Sequence, residues 1–435
     1  NASAQWRNPA MLTYLEGTQI STGAIYVDPN IDINGEVTTN SLTGDRRGAT
    51  SSKDIAHSAV IPNLYLSHKY NDKLAIGFAL GTNYGMETEL ESSFTALHFG
   101  DKASVTTVEA VASFGYQVVD SFSVGAGVRY VTGEGHFGAS LKSVVDGSVT
   151  TLKYMEGDDT SWGYQLGAAW DINEHNRIGV AYKSEVTMDF EGTASGLSYT
   201  PSKPGTLSIP LPATLEVASF HQLTDTVSIH ASVNWTDWSK FKELQAQFAT
   251  GPDTIKTENW KDNYRFALGA TYQYDEQWQF SASLLDLGWI KWKNDVKTYT
   301  SNGDFEFSGY SFNSFFEEDT VDLEGQVDSL EEDFFQETEG EAYTSNLTPK
   351  IYLSAIRQFD HQLKAGALFY ADFFAGIKPA FTLYGSKQFS NIIELGLSYS
   401  IKNKTFNNIG ATLALGERNA QFFVATANLV SLFAL

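Results

Sequence analysis

Apolar and polar residues alternate with a period of two over most of this chain. The longest run lies between Arg177 and Phe190, where one face carries aliphatic and aromatic residues and the other small or charged ones. The same alternation recurs near residues 122–130, 227–235, 264–274 and 278–284. Because successive side chains of a strand point to opposite faces, this period predicts an all-β chain of long strands, each with one apolar face.

Short and long connections alternate between the predicted strands. Short polar turns are predicted at 71–72, 119–121, 173–176, 224–225 and 275–276, and long polar loops at about 28–58, 82–103, 132–162, 191–212 and 237–262. Short turns at one end and long loops at the other are typical of outer-membrane barrels. A soluble β-sandwich alternates in the same way, but strand length, this asymmetry and a charged fraction of 19% favour a transmembrane antiparallel β-barrel.

The composition bears on several classes of function. A net charge of -23 argues against nucleic-acid binding, which needs clustered Lys and Arg. Without cysteine there is no disulfide, thiolate zinc site or cysteine nucleophile. The histidines show no metal-ligand spacing, and the G-x-G-x-x-G match at Gly133–Gly138 lacks the helix that a dinucleotide site requires. We therefore predict no catalytic residue, metal or cofactor, although spacing does not exclude a Ser/His/Asp triad.

The last third of the chain has a different pattern. Residues 298–349 contain 14 acidic residues and no Lys or Arg, which predicts a solvated acidic loop or insertion within 288–349. Aromatic residues interleave with the acids, so this segment could also contact a protein partner. Strands resume near 350–359, 363–371, 377–386, 391–401, 407–415 and 420–428, with short connections only.

Charged residues on the polar faces of the strands are the candidate lining of a barrel lumen. They are Arg129, Lys183, Glu185, Asp189 and Arg265. Such residues could pair with one another and with a plug, or they could bind the headgroup of a ligand, since a barrel of this size has room for both.

A collinear series of short motifs resembles the FadL-type long-chain fatty acid transporters. The series begins with Asn8-Pro9-Ala10 and a strand ending Ala24–Pro29, and it continues through Val60–Asn63, Thr82–Gly85, Tyr182–Val186, Leu211-Pro212 and Trp235–Trp238. It covers about residues 1–287. Residues 288–435 only weakly resemble outer-membrane barrel proteins of unknown function from Bacteroidota.

The resemblance implies a barrel of fourteen strands, or sixteen if the extra segments are included, in the outer membrane of a Gram-negative bacterium. Residues 1–17 would form part of an N-terminal hatch in the lumen, 18–287 the family's barrel strands and 350–435 the C-terminal barrel strands. Asn8, Pro9 and Ala10 would belong to the hatch. A lateral opening in the wall would be bordered by Ala59, Thr82, Asn83 and Gly85, where small residues tolerate missing ladder bonds.

The function implied by the resemblance is passive transport of long-chain fatty acids or other hydrophobic molecules, with lateral release into outer-membrane lipid and without a cofactor. Two alternatives remain open. The barrel could be a partner-binding component of an envelope complex that uses the acidic segment, or, less favoured, a lipid hydrolase of the outer membrane. The chain begins at Asn1, so we expect a processed product from which an export signal has been removed.

Overall fold

The computed structural model describes residues 1–39, 46–142, 147–257, 259–292, 297–300, 336–339, 341–360, 362–374, 376–402, 405–417 and 420–429. Within these residues, no helix has the length and apolar character needed to cross a membrane. Most of the predicted acidic segment, including 301–335, lies outside the described residues, and the partner-binding alternative that rests on it stays a prediction.

The chain begins with a short helix, α1 (Ala4–Arg7), and a 3₁₀ turn (Pro9–Tyr14), and strands follow almost without interruption. Further 3₁₀ turns cover Leu97–Phe99, Leu197–Tyr199 and Trp238–Lys240. The strands are β1 (Thr18–Val27), β2 (Ile33–Thr39), β3 (Arg46–Ser52), β4 (Ala59–Lys69), β5 (Leu74–Gly81), β6 (Gly85–Glu89), β7 (Lys102–Val119), β8 (Phe122–Lys142), β9 (Val149–Asn173), β10 (Asn176–Lys183), β11 (Val186–Ser195), β12 (Lys203–Leu211), β13 (Thr214–Gln222), β14 (Val227–Thr236), β15 (Glu243–Phe248), β16 (Gly251–Thr257), β17 (Asn263–Gln273), β18 (Trp278–Leu287), β19 (Trp289–Trp292), β20 (Lys297–Thr300), β21 (Gln336–Glu339), β22 (Tyr343–Asn346), β23 (Lys350–Gln358), β24 (Leu363–Asp372), β25 (Lys378–Gln388), β26 (Ile393–Lys402), β27 (Thr405–Glu417) and β28 (Ala420–Thr426).

One sheet of 22 strands contains nearly all of these segments, and its neighbouring strands pair in antiparallel registers. The remaining pairs, β2–β3, β19–β22 and β20–β21, form small separate hairpins. Some strands of the main sheet continue one another along the wall, as β10 and β11 do where both pair with β9. The number of segments therefore exceeds the number of crossings, and fourteen crossings stays a prediction.

The predicted short turns and C-terminal strands are confirmed, but the predicted long loops are mostly strand. β8 and β9 stay paired from Phe122↔Trp170 to Lys142↔Val149, through most of the predicted loop at 132–162. β12, β15 and β16 occupy much of the loops predicted at 191–212 and 237–262. Strands that rise beyond the membrane need no apolar outer face, so the alternation that marks the membrane part is lost there.

Large apolar side chains cover the outer face of the wall. Val128 is 54% exposed, Trp162 66%, Leu268 54% and Leu397 63%. The inner face of β7 to β9 carries small or polar residues instead, such as Ser113, Ser123 and Gln165, all buried. An apolar outer face and a small, polar inner face define a transmembrane β-barrel.

The single strand predicted over 177–190 is in fact two strands that meet at Ser184. Lys183 ends β10 with its side chain toward the lumen, and the buried Ser184 side chain also turns inward, where its hydroxyl accepts a bond from the Tyr164 amide at 2.9 Å. Two successive inward residues exchange the faces of the next strand, β11. Its apolar residues are therefore buried inside, in a cluster of Val131, Val186, Met188, Phe190 and Leu211.

This exchange corrects two predicted positions. Asp189 lies on the face of β11 opposite the buried Met188 and Phe190, and Glu185, just before β11, accepts a hydrogen bond from Thr187 on that same face, so both point away from the lumen. Asp189 is exposed and accepts a hydrogen bond from Ser208 at 2.5 Å on the neighbouring strand β12.

Candidate functional site

The hatch, residues 1–17, lies inside the barrel against the inner faces of β4, β5, β7, β8 and β9. Ala2, Gln5 and Leu12 are fully buried there. The wall approaches the hatch closely because it carries glycine at the contact. A Cβ atom on Gly125 would lie 2.5 Å from the Pro9 carbonyl carbon, and one on Gly115 would lie 2.9 Å from the Pro9 oxygen. Only a residue without a side chain fits at such distances.

Asn8 fastens the hatch to the wall. Its side-chain oxygen accepts a bond from the Ala10 amide at 2.9 Å, which caps the 3₁₀ turn that begins at Pro9. Its side-chain nitrogen donates to the carbonyl oxygens of Ala168 on β9 and Val180 on β10, both at 3.1 Å. Asn8-Pro9-Ala10 is therefore a turn whose first residue also bonds the barrel wall.

Gln5 and Trp6, which the sequence did not single out, make the contacts on the other side of the hatch. The Gln5 amide donates to the Leu66 carbonyl on β4 at 2.7 Å. The Trp6 ring packs edge-on against Tyr65 at 6.0 Å. Neither residue belongs to a recognisable motif. The alternation of apolar and polar residues does not indicate which residues of the hatch contact the barrel wall.

The wall is interrupted beside the hatch. The β1–β4 ladder extends to Val27↔Ala59, but the β4–β5 ladder ends at Leu64↔Leu80. On the other side, β5 stops at Gly81 and β6 begins at Gly85, and both pair with β7. Residues 59–63 and 82–85 thus face each other without a β-ladder in the described structure. We call this interruption the wall gap; the predicted residues Ala59, Thr82, Asn83 and Gly85 all lie on it.

A charged cluster crosses the outer end of the wall gap. His57, just before β4, places its Nδ1 atom 3.7 Å from Glu87 and 3.9 Å from Glu89, both on β6. The Lys102 ammonium lies 2.6 Å from Glu89 and 3.2 Å from Glu87. Lys102 pairs with Gly138 on β8, well past Tyr130 of the aromatic pair Tyr130–Trp162 along the same strand, so the cluster lies beyond that aromatic pair.

The cluster is an ion-pair group in which the Lys102 ammonium contacts both carboxylates. The hydrogen bond from Lys102 lowers the pKa of the Glu89 carboxyl, and the same bond raises the pKa of Lys102. His57, Glu87 and Glu89 have the spacing of a possible metal-ligand set. The same carboxylates already hold the Lys102 ammonium, so a metal ion would have to displace it.

A buried polar network starts at the wall gap and runs into the lumen. The Asn83 side-chain amide donates to Glu109, whose two oxygens accept from Arg129 Nε at 2.7 Å and Arg129 Nη2 at 2.9 Å. Arg129 Nη1 donates to the Ser184 carbonyl at 2.8 Å. Glu109 is 1% exposed and Arg129 3% exposed. Charged groups buried to this extent need such partners.

The structure thus brings Asn83, Arg129 and Lys183 together beside the hatch, where the Lys183 ammonium lies 4.5 Å from the centre of the Trp6 ring. Arg265 belongs to another cluster, 3.7 Å from Asp286 Oδ1, while Lys350 lies 2.5 Å from Asp286 Oδ2. Glu109 was missed by the sequence analysis, although it is the single charged residue between 103 and 119. The available signal was a lone acid with no other charged residue from 103 to 119.

A cavity of about 260 Å³ lies between the hatch and strands β10 and β13. Its walls combine charged and apolar side chains, including Arg7, Met11, Arg177, Glu216 and Phe220. Arg177 stacks on Tyr14 of the hatch, 4.3 Å from the ring centre, and pairs with Asp171. Space therefore exists between the hatch and the wall at β10 and β13.

Comparisons with known proteins agree with this architecture. The family model described as outer membrane protein transport protein (OMPP1/FadL/TodX) matches residues 1–284. Outer membrane protein P1 of Haemophilus influenzae is 33% identical over 324 residues, covering 65% of this chain and 71% of that protein. The long-chain fatty acid transport protein of Escherichia coli O6:H1 is 30% identical over 316 residues, covering 64% of this chain and 70% of that protein.

A solved structure shares the fold. The crystal structure of a Pseudomonas aeruginosa FadL homologue superposes with a TM-score of 0.57 at 17% sequence identity, covering 89% of this chain and 88% of that one. The predicted resemblance to FadL-type transporters is confirmed, and so is the predicted location of the protein in the outer membrane of a Gram-negative bacterium. The chain forms a β-barrel with an N-terminal hatch in its lumen, and it belongs to the OMPP1/FadL/TodX family of outer membrane transport proteins.

Proposed function

We propose that this protein admits long-chain fatty acids or other hydrophobic molecules across the outer membrane by passive diffusion through a hatch-gated lateral opening. The observation that carries the proposal is the wall gap, where the β4–β5 ladder ends at Leu64↔Leu80 while β4 continues to Ala59. The relative named long-chain fatty acid transport protein, 30% identical to this chain, supports the class of ligand.

The physical argument for lateral release is the cost of exposing an acyl chain to water. Each buried CH₂ group contributes about 0.8 kcal/mol, so a long chain gains more by leaving sideways into lipid than by crossing an aqueous channel. A gap in the strand ladder gives such an exit, since residues 59–63 and 82–85 make no ladder hydrogen bonds with each other that would have to break.

The residues near the gap then take defined roles in this proposal. Asn8, Pro9 and Ala10 hold the hatch across the lumen, and a shift of the hatch connects the lumen with the gap. Thr82, Asn83 and Gly85 on one side and Ala59 on the other form the edges of the opening. The cations Arg129 and Lys183 bind the ligand headgroup, and Arg265 offers a second polar contact on the lumenal face.

Mass spectrometry of lipids that copurify with the detergent-solubilised protein tests the proposal. The wild type is expected to retain hydrophobic ligands, and Asn83→Arg and a deletion of residues 8–10 are expected to alter that retention. The matched control is Asn234→Arg on β14, which pairs with β13 and β17 and not with a strand of the wall gap. Absence of any hydrophobic ligand from the wild type, or equal effects of both arginine variants, would contradict the proposal.

A further inference from the structure

We propose that Glu109 is a positioning residue that holds the edge of the wall gap between β5 and β6 in place and releases it when a ligand carboxylate takes over part of its bonding to Arg129. This inference rests on the proposed function and deepens it, because it assigns selectivity for anionic over neutral hydrophobic ligands to one buried acid. Glu109 would act through Asn83 and Arg129 rather than by touching the ligand.

Three hydrogen bonds hold the Glu109 carboxylate. Its carboxylate accepts two bonds from the Arg129 fork, at 2.7 and 2.9 Å, and a third from the Asn83 amide. Glu109 is opposite Gly81 in the β5–β7 register, directly before the interruption of the wall. The three-residue segment between β5 and β6 is therefore held to the lumen by this acid, together with the Thr107 bonds to the Tyr84 carbonyl.

The charged groups around Glu109 favour an added negative charge. Arg129 bonds it directly, and Lys183 is close enough to interact with it electrostatically; Arg7 in turn acts on Lys183. Two cations thus act on one acid on the side of the lumen that faces the hatch, and the exposed Arg7 of the hatch acts on one of them, Lys183. An incoming carboxylate would complete the balance of charge, and a neutral ligand would not. Because buried cations favour added negative charge in a region of low dielectric, the arrangement selects for an anionic headgroup.

The same residues also contact the hatch or lie next to residues that do. Arg129 donates to the Ser184 carbonyl at 2.8 Å, and Lys183, the preceding residue, lies over the Trp6 ring at 4.5 Å. The Trp6 ring packs against Gly81, where a Cβ atom would be 3.3 Å away. The contacts form a closed ring from the wall gap through Glu109 and the hatch back to the gap. A headgroup that moves Arg129 or Lys183 therefore disturbs the hatch and the gap together.

Glu109→Gln keeps the shape of the side chain and removes the charge with which a ligand carboxylate competes. A ligand carboxylate then meets less competition for its hydrogen bonds to Arg129, so retention of a fatty acid relative to the fatty alcohol of the same length should rise at least about tenfold, which corresponds to about 1.4 kcal/mol. A residue with a merely structural role would change retention of both ligands by the same factor, and the ratio would stay as in the wild type.

The experiment measures equilibrium retention of lauric acid and of dodecanol by the purified, detergent-solubilised full chain. Wild type is compared with Glu109→Gln and with the control Glu276→Gln, an exposed glutamate in a turn. The control should reproduce the wild-type acid-to-alcohol ratio. A ratio unchanged in Glu109→Gln, with both ligands bound by wild type, would overturn the inference and leave the proposed function standing. Binding of neither ligand by the wild type would overturn the proposed function and the inference with it.

A second variant keeps the inference testable if Glu109→Gln does not fold. Asn83→Ala removes the link to the gap and leaves the Glu109–Arg129 pair in place. Because the chain contains no cysteine, spin labels can be placed uniquely at Val60→Cys and Met86→Cys, which are 64% and 60% exposed on the two sides of the gap. Lauric acid should widen the label distances in the otherwise wild-type chain, and Asn83→Ala should widen them without ligand. Distances that do not change in either case would refute the coupling.

Discussion

The hatch fits the barrel because the wall carries glycine where the chain of the hatch passes, and Gly125→Ala tests this most sharply. The added Cβ atom would lie 2.5 Å from the Pro9 carbonyl carbon, whereas non-bonded carbon atoms approach to about 3.5–4.0 Å. The hatch backbone must therefore move by about 1 Å, since the opposing atoms belong to main chain that cannot rotate away. Overpacking of this kind costs about 1–3 kcal/mol.

That cost falls on the docked state of the hatch and not on the barrel ladder. A penalty of this size raises the equilibrium constant for undocking by about 5- to 150-fold. A single cysteine at Thr13, which is 9% exposed in the hatch, reports undocking through its rate of reaction with a maleimide. We expect labelling to accelerate by at least about fivefold in the Gly125→Ala background, with the heat stability of the barrel unchanged.

The matched control is Gly35→Ala on β2, where a Cβ atom would meet nothing within 4 Å. Its labelling rate at Thr13→Cys should equal that of the unsubstituted background. Equal labelling rates in Gly125→Ala and Gly35→Ala would refute the reasoning, because they would show that the hatch does not rest on Gly125.

Other substitutions probe the hatch anchor, the cluster over the gap and the faces of the strands. Asn8→Asp keeps the cap on the 3₁₀ turn but replaces two bonds to wall carbonyls by repulsion, so the hatch should be labelled faster at low and high salt alike. Lys102→Met removes the donor that lowers the Glu89 pKa. In the wild type, the Glu89 carboxylate is protonated only when the pH falls through this lowered pKa. In the variant, it should be protonated at a higher pH. Spin-label distances across the gap, measured between about pH 3 and 6, check this. Asp189→Asn should leave fatty acid retention unchanged because Asp189 points away from the lumen, while Arg129→Lys, which loses the bidentate fork, should lower it about tenfold; equal losses in the two variants would contradict the assigned faces.

Alternation was enough to predict the strands, because a wall between lipid and a polar lumen imposes it on every strand, and the class of barrel followed from strand length, low charge and the short and long connections together. Alternation could not predict where the faces exchange. Ser184 adds one inward residue between β10 and β11, and every later residue of that run moves to the other face. Glu185 and Asp189 were therefore placed wrongly, although the residue types around them were read correctly.

The collinear motifs led to Asn8, Asn83 and their neighbours at the hatch and the wall gap, but their roles in transport stay a prediction. Glu109 was missed because its importance comes from two partners distant in sequence, Asn83 and Arg129. Its position inside a strand was predictable; its three hydrogen bonds were not, since they depend on how a broken strand folds back over the lumen. β8 and β9 stay paired beyond the membrane, where their outer faces need not be apolar. The sequence there does not alternate, so this continuation of the strands could not be predicted.

The central claim is that ligands leave through the wall gap, and uptake with the gap reversibly closed tests it most directly. Val60→Cys and Met86→Cys, joined across the gap by a reducible bifunctional reagent, would lock the two edges in a chain that has no other thiol. In cells or vesicles that carry this variant, we expect uptake of a long-chain fatty acid to stop on cross-linking and to return on reduction, while a cross-link between Leu395→Cys and Leu413→Cys, paired on β26 and β27, has no effect. Uptake that continues at the wild-type rate with the gap locked would contradict lateral passage.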